Sequence, residues 1–358
     1  MKKRPLLIQD PVARVLLDWL RLTPMKGGVL AFLISVLYAF GLSATFGILN
    51  ADSGFRAVLD DFPNLGVLLL ISPAVWVYYL WQIGSISGAL SLIERSAKNP
   101  GQMTEELELE KHRYARLTWP VVLSALTASI LSVHNIQLSQ AQFGESWITY
   151  NWQMSAALQI IRWPVFYMVV MILIRQALAS TAMNRVISRQ PLKVILRHPD
   201  GRGGMSGLGH YAIASASMIP IAGLYLGLVW AREGLLALAP GGLYFPAVLI
   251  YLVVSPLVLF WPIIRVHDQM KAAKSRLLGE IATLFEEEYA GLIDQLHQDI
   301  LAPDVAIRLR AFRKIYQTAE NAPEWPINLA LLSQFIVAVL LPVIIPIILR
   351  LLAGLMSQ

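Results

Sequence analysis

Hydrophobic positions along this chain fall in long unbroken runs separated by short charged stretches, a pattern of spans rather than of amphipathic soluble elements. Seven runs stand out, at residues 29–50, 66–93, 119–133, 158–179, 207–230, 243–264 and 327–349. Crossing about 30 Å of hydrocarbon at 1.5 Å per residue takes about 20 residues. Most of the runs supply that length, and the third reaches it by extending through His134 and Asn135. None contains Asp or Glu. Continuous rather than alternating apolar character favours helices over a transmembrane barrel. The pattern therefore predicts an all-α polytopic membrane protein with about seven transmembrane helices, or six if the last is re-entrant. In that last run Pro342 and Pro346 each remove a backbone hydrogen bond, so a kinked crossing is expected, with a turn back as the alternative.

Between the sixth and seventh runs the period changes. Leu278, Ile281, Phe285, Tyr289, Leu292, Leu296 and Ile300 recur every three or four positions, which predicts a long amphipathic helix. Pro303-Asp304 opens a second, with Val305, Leu309, Phe312 and Ile315 or Tyr316 on one face. Such a hairpin has to cover its stripes with a helix at 104–116, the membrane surface or another copy of the chain. Residues 12–22 carry apolar positions around Arg14, Asp18 and Arg21 and predict a helix lying along the membrane interface. The organisation expected is an N-terminal segment at 1–27, a six-helix membrane domain at 28–264, the hairpin at 265–324 and a C-terminal segment at 325–358. Trp-Pro pairs at 119–120, 163–164, 261–262 and 325–326 mark headgroup-level boundaries, because Trp favours that zone and Pro suits a first helical turn. The second pair lies inside the fourth run, where it marks an outer start or a kink.

Composition agrees: 56% of the 358 residues are hydrophobic, 15% are charged and the mean hydropathy is +0.57. The absence of cysteine excludes disulfides, thiolate metal sites and a cysteine nucleophile. The net charge of +6 would admit nucleic acid as a partner, but 25 of the 29 basic residues fall before the first run or after the second, fourth and sixth. That distribution places those segments and the N-terminus in the cytoplasm, as in a multi-pass inner (cytoplasmic) membrane protein. The basic excess is thus topological, and nucleic acid is not expected as a partner. The first run starts too late and is too long for a cleaved signal peptide.

Candidate chemistry begins at residues 197–209. Arg197, His198, Arg202, Gly203 and Gly204 form a basic, glycine-rich loop directly before the fifth run. Free backbone N–H groups at a helix start suit a phosphate or carboxylate. The loop reads either as a turn holding lipid phosphates or as a site for a lipid headgroup or nucleotide. It is neither a Walker loop nor a dinucleotide fingerprint. His198-Pro199-Asp200, Gly203-Gly204 and Leu208-Gly209, with "PEWPINLALLSQFIVAVLLPVI" near the C-terminus, resemble a pattern in uncharacterised polytopic membrane proteins of bacteria. Met205 stands where that pattern would have leucine. The resemblance covers about a tenth of the chain, implies a bacterial origin and brings no activity with it.

Small residues crowd the fifth run, consistent with close helix packing or with a pore wall offering Ser215 and Ser217 hydroxyls and a gating bend at Pro220. His210 and His134, near opposite membrane faces, are candidate sensors or gates. Arg162, in the outer part of the fourth run, either snorkels to headgroups or stands as a fixed cation beside a permeation route. No metal-ligand spacing, nucleophile elbow or paired intramembrane carboxylate is present in the pattern, so neither an enzyme nor a cofactor is expected. These features point to an oligomeric channel for anions or small neutral solutes, surrounded by lipid and gated or assembled through its cytoplasmic helices. The alternative is a non-conducting sensor or effector whose hairpin binds a cytoplasmic protein and whose loop reads a lipid headgroup or nucleotide.

Overall fold

A computed structural model describes residues 10–49, 57–115, 117–141, 146–195, 198–233, 245–297, 303–328, 330, 332–340 and 344. Among them the chain is helical without strands, and six helices are long and apolar enough to cross a membrane. After a short helix α1 (Pro11–Arg14) come α2 (Pro24–Thr45), α3 (Phe62–Arg95), α4 (Pro100–Ala115), α5 (Trp119–Ala141), α6 (Trp152–Arg189) and α7 (Ser206–Val229). They are followed by α8 (Phe245–Phe260), α9 (Ile264–His297) and α10 (Pro303–Glu320). The six spans are α2, α3, α5, α6, α7 and the rod Phe245–Ala290 made by α8 and most of α9. The kink or turn expected at Pro342 and Pro346 lies outside the described residues.

Two helices form the axis. α3 packs against α2, α4, α6 and α7, while α6 packs against α3, α4, α5 and α9. α2 can lie close to α3 because Gly27 and Gly28 face Leu80 and Val77. At 38 residues, α6 is about 57 Å long at 1.5 Å per residue, well beyond the hydrocarbon thickness. Its excess belongs to a second core on the basic side, where Ile93, Met103, Met183, Ile187, Leu208 and Met270 are all buried together. α4 closes that core with its acidic face inward: Glu110 is buried and accepts from Arg185 (2.8 Å) and Arg113 (3.3 Å), and Glu106 pairs with Arg189 (2.7 Å).

The second Trp-Pro pair does not mark a helix start. Asn151 caps α6 through a bond from the Met154 N–H (2.8 Å), twelve residues ahead of Trp163, and Pro164 sits inside the continuous helix. Residues 12–22 also differ from expectation. Ala13 and Leu16 are buried in the bundle core, so this segment docks into the helices rather than only resting on the interface. At the opposite end, Trp147 is fully buried and donates its indole N–H to Asp61 (3.1 Å), while the Tyr38 hydroxyl donates to the Met154 carbonyl (3.0 Å).

Candidate functional site

Two consecutive residues on α3, Tyr78 and Tyr79, and two on α6, Arg175 and Gln176, face each other inside otherwise apolar helices. Neighbours in a helix point about 100° apart, so each pair serves two sides of the α3–α6 contact. The result is one polar layer made of two adjoining clusters.

On the first side the N-terminal segment inserts Asp10, which is 0% exposed. Its carboxylate caps α1 through the N–H groups of Val12 (3.0 Å) and Ala13 (3.2 Å). It also accepts from the hydroxyls of Tyr79 (2.7 Å) and Tyr167 (2.9 Å) and from the guanidinium of Arg175. Arg175, 3% exposed, donates besides to the Tyr79 carbonyl (3.2 Å) and lies 4.2 Å over the Tyr79 ring. A buried ion pair persists only when its remaining hydrogen-bonding capacity is also met. Here two tyrosines and two backbone amides meet it.

On the second side the bonding is incomplete. Tyr78 donates to the Ser215 carbonyl (2.6 Å), Gln82 Nε2 to the Ile172 carbonyl (2.9 Å), and Tyr211 reaches Gln176 Oε1 at 3.5 Å. Among the described residues Gln82 Oε1 and Gln176 Nε2 have no hydrogen-bond partner, and Ser215 Oγ, beside the Tyr211 hydroxyl, makes none of good geometry. All five residues are buried. An unmet donor or acceptor away from water costs about 1–3 kcal/mol by mutational measures, and no bulk water reaches a bilayer core. A junction of α3, α6 and α7 that presents an acceptor, a donor and a hydroxyl therefore matches water or a small polar solute.

Of the residues singled out from the sequence as pore or gate candidates, Ser215 belongs to this junction. Ser217 is exposed and bonds back to the Ala214 carbonyl (2.7 Å) at a break in α7, with half-buried Pro220 just beyond it. His210 is exposed and its Nδ1 contacts the Ser206 carbonyl (2.8 Å); His134 is exposed on α5. Arg162 is half-buried on α6, 3.5 Å from Asn135 Oδ1.

In the glycine loop three backbone donors are taken from within: the Asp200 carboxylate accepts from the N–H groups of Arg202 (2.8 Å), Gly204 (3.0 Å) and Ser206 (3.2 Å), with His198 Nδ1 2.9 Å away. Gly203 and Gly204 adopt positive φ (66° and 85°), the conformation glycine reaches without strain, and so turn those donors inward. Partial burial works against the Asp200 charge, but the three N–H groups and His198 outweigh it and hold this carboxyl well below the usual range. The Asp200 carboxylate thus fills part of the loop from within, beside His198, Arg202, Gly203 and Gly204; Arg197 lies outside the described residues.

Sequence reasoning missed Asp10, Tyr79, Tyr167 and Arg175, and with them Tyr78, Gln82, Gln176 and Tyr211. "IRQ" within the fourth apolar run was the available signal, since polar residues inside a span are costly and mark sites. Asp10 had none, because it lies outside every run. Among the described residues no group of three or more His, Asp or Glu is placed to hold a metal ion. In comparisons with family models, curated proteins and solved structures, nothing matches this chain.

Proposed function

We propose that the chain is a gated permeation pathway for small neutral solutes or anions in a bacterial inner membrane, with its N-terminus cytoplasmic. The observation that carries this reading is the polar layer of α3, α6 and α7, where, among the described residues, buried Gln82 keeps an acceptor unmet, buried Gln176 a donor and buried Ser215 a hydroxyl. Permeation of a polar species requires replacement partners for its hydration shell without binding tight enough to trap it. Two amides and a hydroxyl suit that need, and they carry no fixed charge. The adjoining Asp10–Arg175 pair is the gate in this reading: it holds the N-terminal segment across the α3–α6 contact and neutralises the arginine. Releasing Asp10 would leave a cation beside the junction and favour anions, as would Arg162 at the outer end.

The test is flux from liposomes holding the purified protein, comparing chloride, potassium and glycerol, with wild type beside Gln82→Leu/Gln176→Leu and Arg162→Ala. Chloride or glycerol flux above that of potassium, reduced at least tenfold in the double variant, supports the pathway. No flux of any of the three, across pH and voltage, rejects it. The second reading, a non-conducting effector that works through its hairpin, is favoured by the apolar residues left exposed on α9 and α10.

A further inference from the structure

The hairpin of α9 and α10 leaves a set of large apolar residues open on the basic side. Leu284, Phe285 and Tyr289 on α9, and Ile307, Ile315 and Tyr316 on α10, are exposed, Ile307 to 64%. The two helices pack on each other, but a pair of helices buries only its shared seam, and helices in water draw most of their stability from tertiary packing.

The bilayer is badly placed to cover this surface. Phe245–Ala290 forms one rod of 46 residues, about 69 Å at 1.5 Å per residue, against about 30 Å of hydrocarbon. Only the tightened turn at Trp261–Ile263 interrupts it. Near that turn the rod is fastened: Asn184 Nδ2 donates to the Trp261 carbonyl (2.6 Å), Gln269 Nε2 to the Ile187 carbonyl (2.7 Å), and Val266 and Met270 are fully buried. Lys274 pairs with Glu324 (3.1 Å), and the His267 ring stacks on Trp325 at 3.9 Å. Held along that stretch, a rod more than twice the hydrocarbon thickness continues past the bilayer core rather than ending within it.

Charge identifies what covers the surface instead. Glu280, Glu286 and Glu287 are exposed on α9, and Arg310, Arg313 and Lys314 are exposed on α10. None of the six makes an ion pair within the chain among the described residues. The distal part of α9 is therefore acidic and the facing stretch of α10 basic, each beside uncovered apolar residues. Such a surface is self-complementary: a two-fold axis lays α9 of one copy on α10 of the other and the reverse, covering both apolar sets and pairing both charge sets. We propose that two copies of this chain join through their hairpins as a four-helix bundle on the basic side of the membrane. This pairing stands whether or not the chain conducts.

Because the chain has no cysteine, single introduced thiols report the contact without background. Full-length copies carrying Phe285→Cys and differently tagged copies carrying Ile315→Cys would be co-expressed, and their membranes oxidised with copper phenanthroline. The expected result is a disulfide-linked dimer bearing both tags, with no dimer from Glu105→Cys, an exposed position on α4. Adding Glu286→Lys/Glu287→Lys to both copies should cut the dimer at least tenfold, as should adding Arg313→Glu/Lys314→Glu to both. A mixture of one acid-swapped and one base-swapped copy should restore it, with far-UV circular dichroism confirming unchanged helicity in each. Three outcomes overturn the proposal: no cross-link together with a monomeric mass in detergent, cross-links indifferent to the charge swaps, or swapped copies that fail to recover on mixing.

Discussion

Asp10 and Arg175 show how far one residue's meaning depends on what touches it. By position Arg175 is one more basic residue near the end of an apolar run; in the fold it is buried, over the Tyr79 ring and against a carboxylate from 165 residues earlier. Removing one member of such a pair strands the other charge, at a cost of about 3–5 kcal/mol. Asp10→Asn and Arg175→Gln should each lower the thermal midpoint of the detergent-solubilised protein markedly, while the double variant should regain much of the loss. If the singles and the double are equally mild, the pair does not organise this layer. Asp200 gives a pH prediction. Its folded carboxyl titrates below the ordinary value, so its contribution is complete above about pH 4, the unfolded value, and fades as pH falls through the lower folded value. Amide exchange in 198–209, corrected for intrinsic rate, should therefore stay slow at neutral pH and speed up on strong acidification. Asp200→Asn should exchange quickly at every pH.

At the scale of the element, spans were easy to locate and their contacts were not. Gly209 and Gly88 read alike, as small residues in apolar runs. A Cβ at Gly209 would sit 2.1 Å from the Pro326 carbonyl oxygen, whereas one at Gly88 meets nothing within 4 Å. Gly209→Ala should thus destabilise α7 against the segment entering the last apolar run. Gly88→Ala should be neutral or stabilising by up to about 1 kcal/mol, the helix-propensity difference. Paired thermal melts would decide, and equal effects would count against the close contact at Pro326. The length of α6 also exceeded its run, since it continues ten residues past its apolar stretch, to Arg189, into the basic-side core. Its mixed composition there is that of a solvated amphipathic helix, which hydropathy alone does not extend.

For the whole molecule the basic residues make a directional prediction. With the N-terminus cytoplasmic, a single cysteine at Glu105 should resist a membrane-impermeant thiol reagent in intact cells and react after lysis. One at Asp60, exposed beyond the first span, should react in both. The reverse labelling pattern would invert the topology, and with it the side on which the hairpin projects. Asp61 and Trp147 tie one end of the bundle while α4, α6 and α9 tie the basic end. The polar layer of α3, α6 and α7 therefore sits between two fastened regions.

The all-α membrane class and the spans' approximate places were legible from the sequence alone, because a bilayer demands about 20 apolar residues with every backbone group bonded inside the helix. The amphipathic hairpin was legible too, from its period of three to four. Ser215 was singled out through the small-residue crowding of its run, and the fold buries it where α7 meets α3. What only the tertiary structure decided was pairing: Asp10 with Arg175, Glu110 with Arg185, Asp200 with the loop's own amides, Gln176 with Tyr211. Each joins segments or atoms whose proximity depends on how the helices cross and the loop turns. A one-dimensional pattern records how much polarity a segment carries but not which other segment satisfies it.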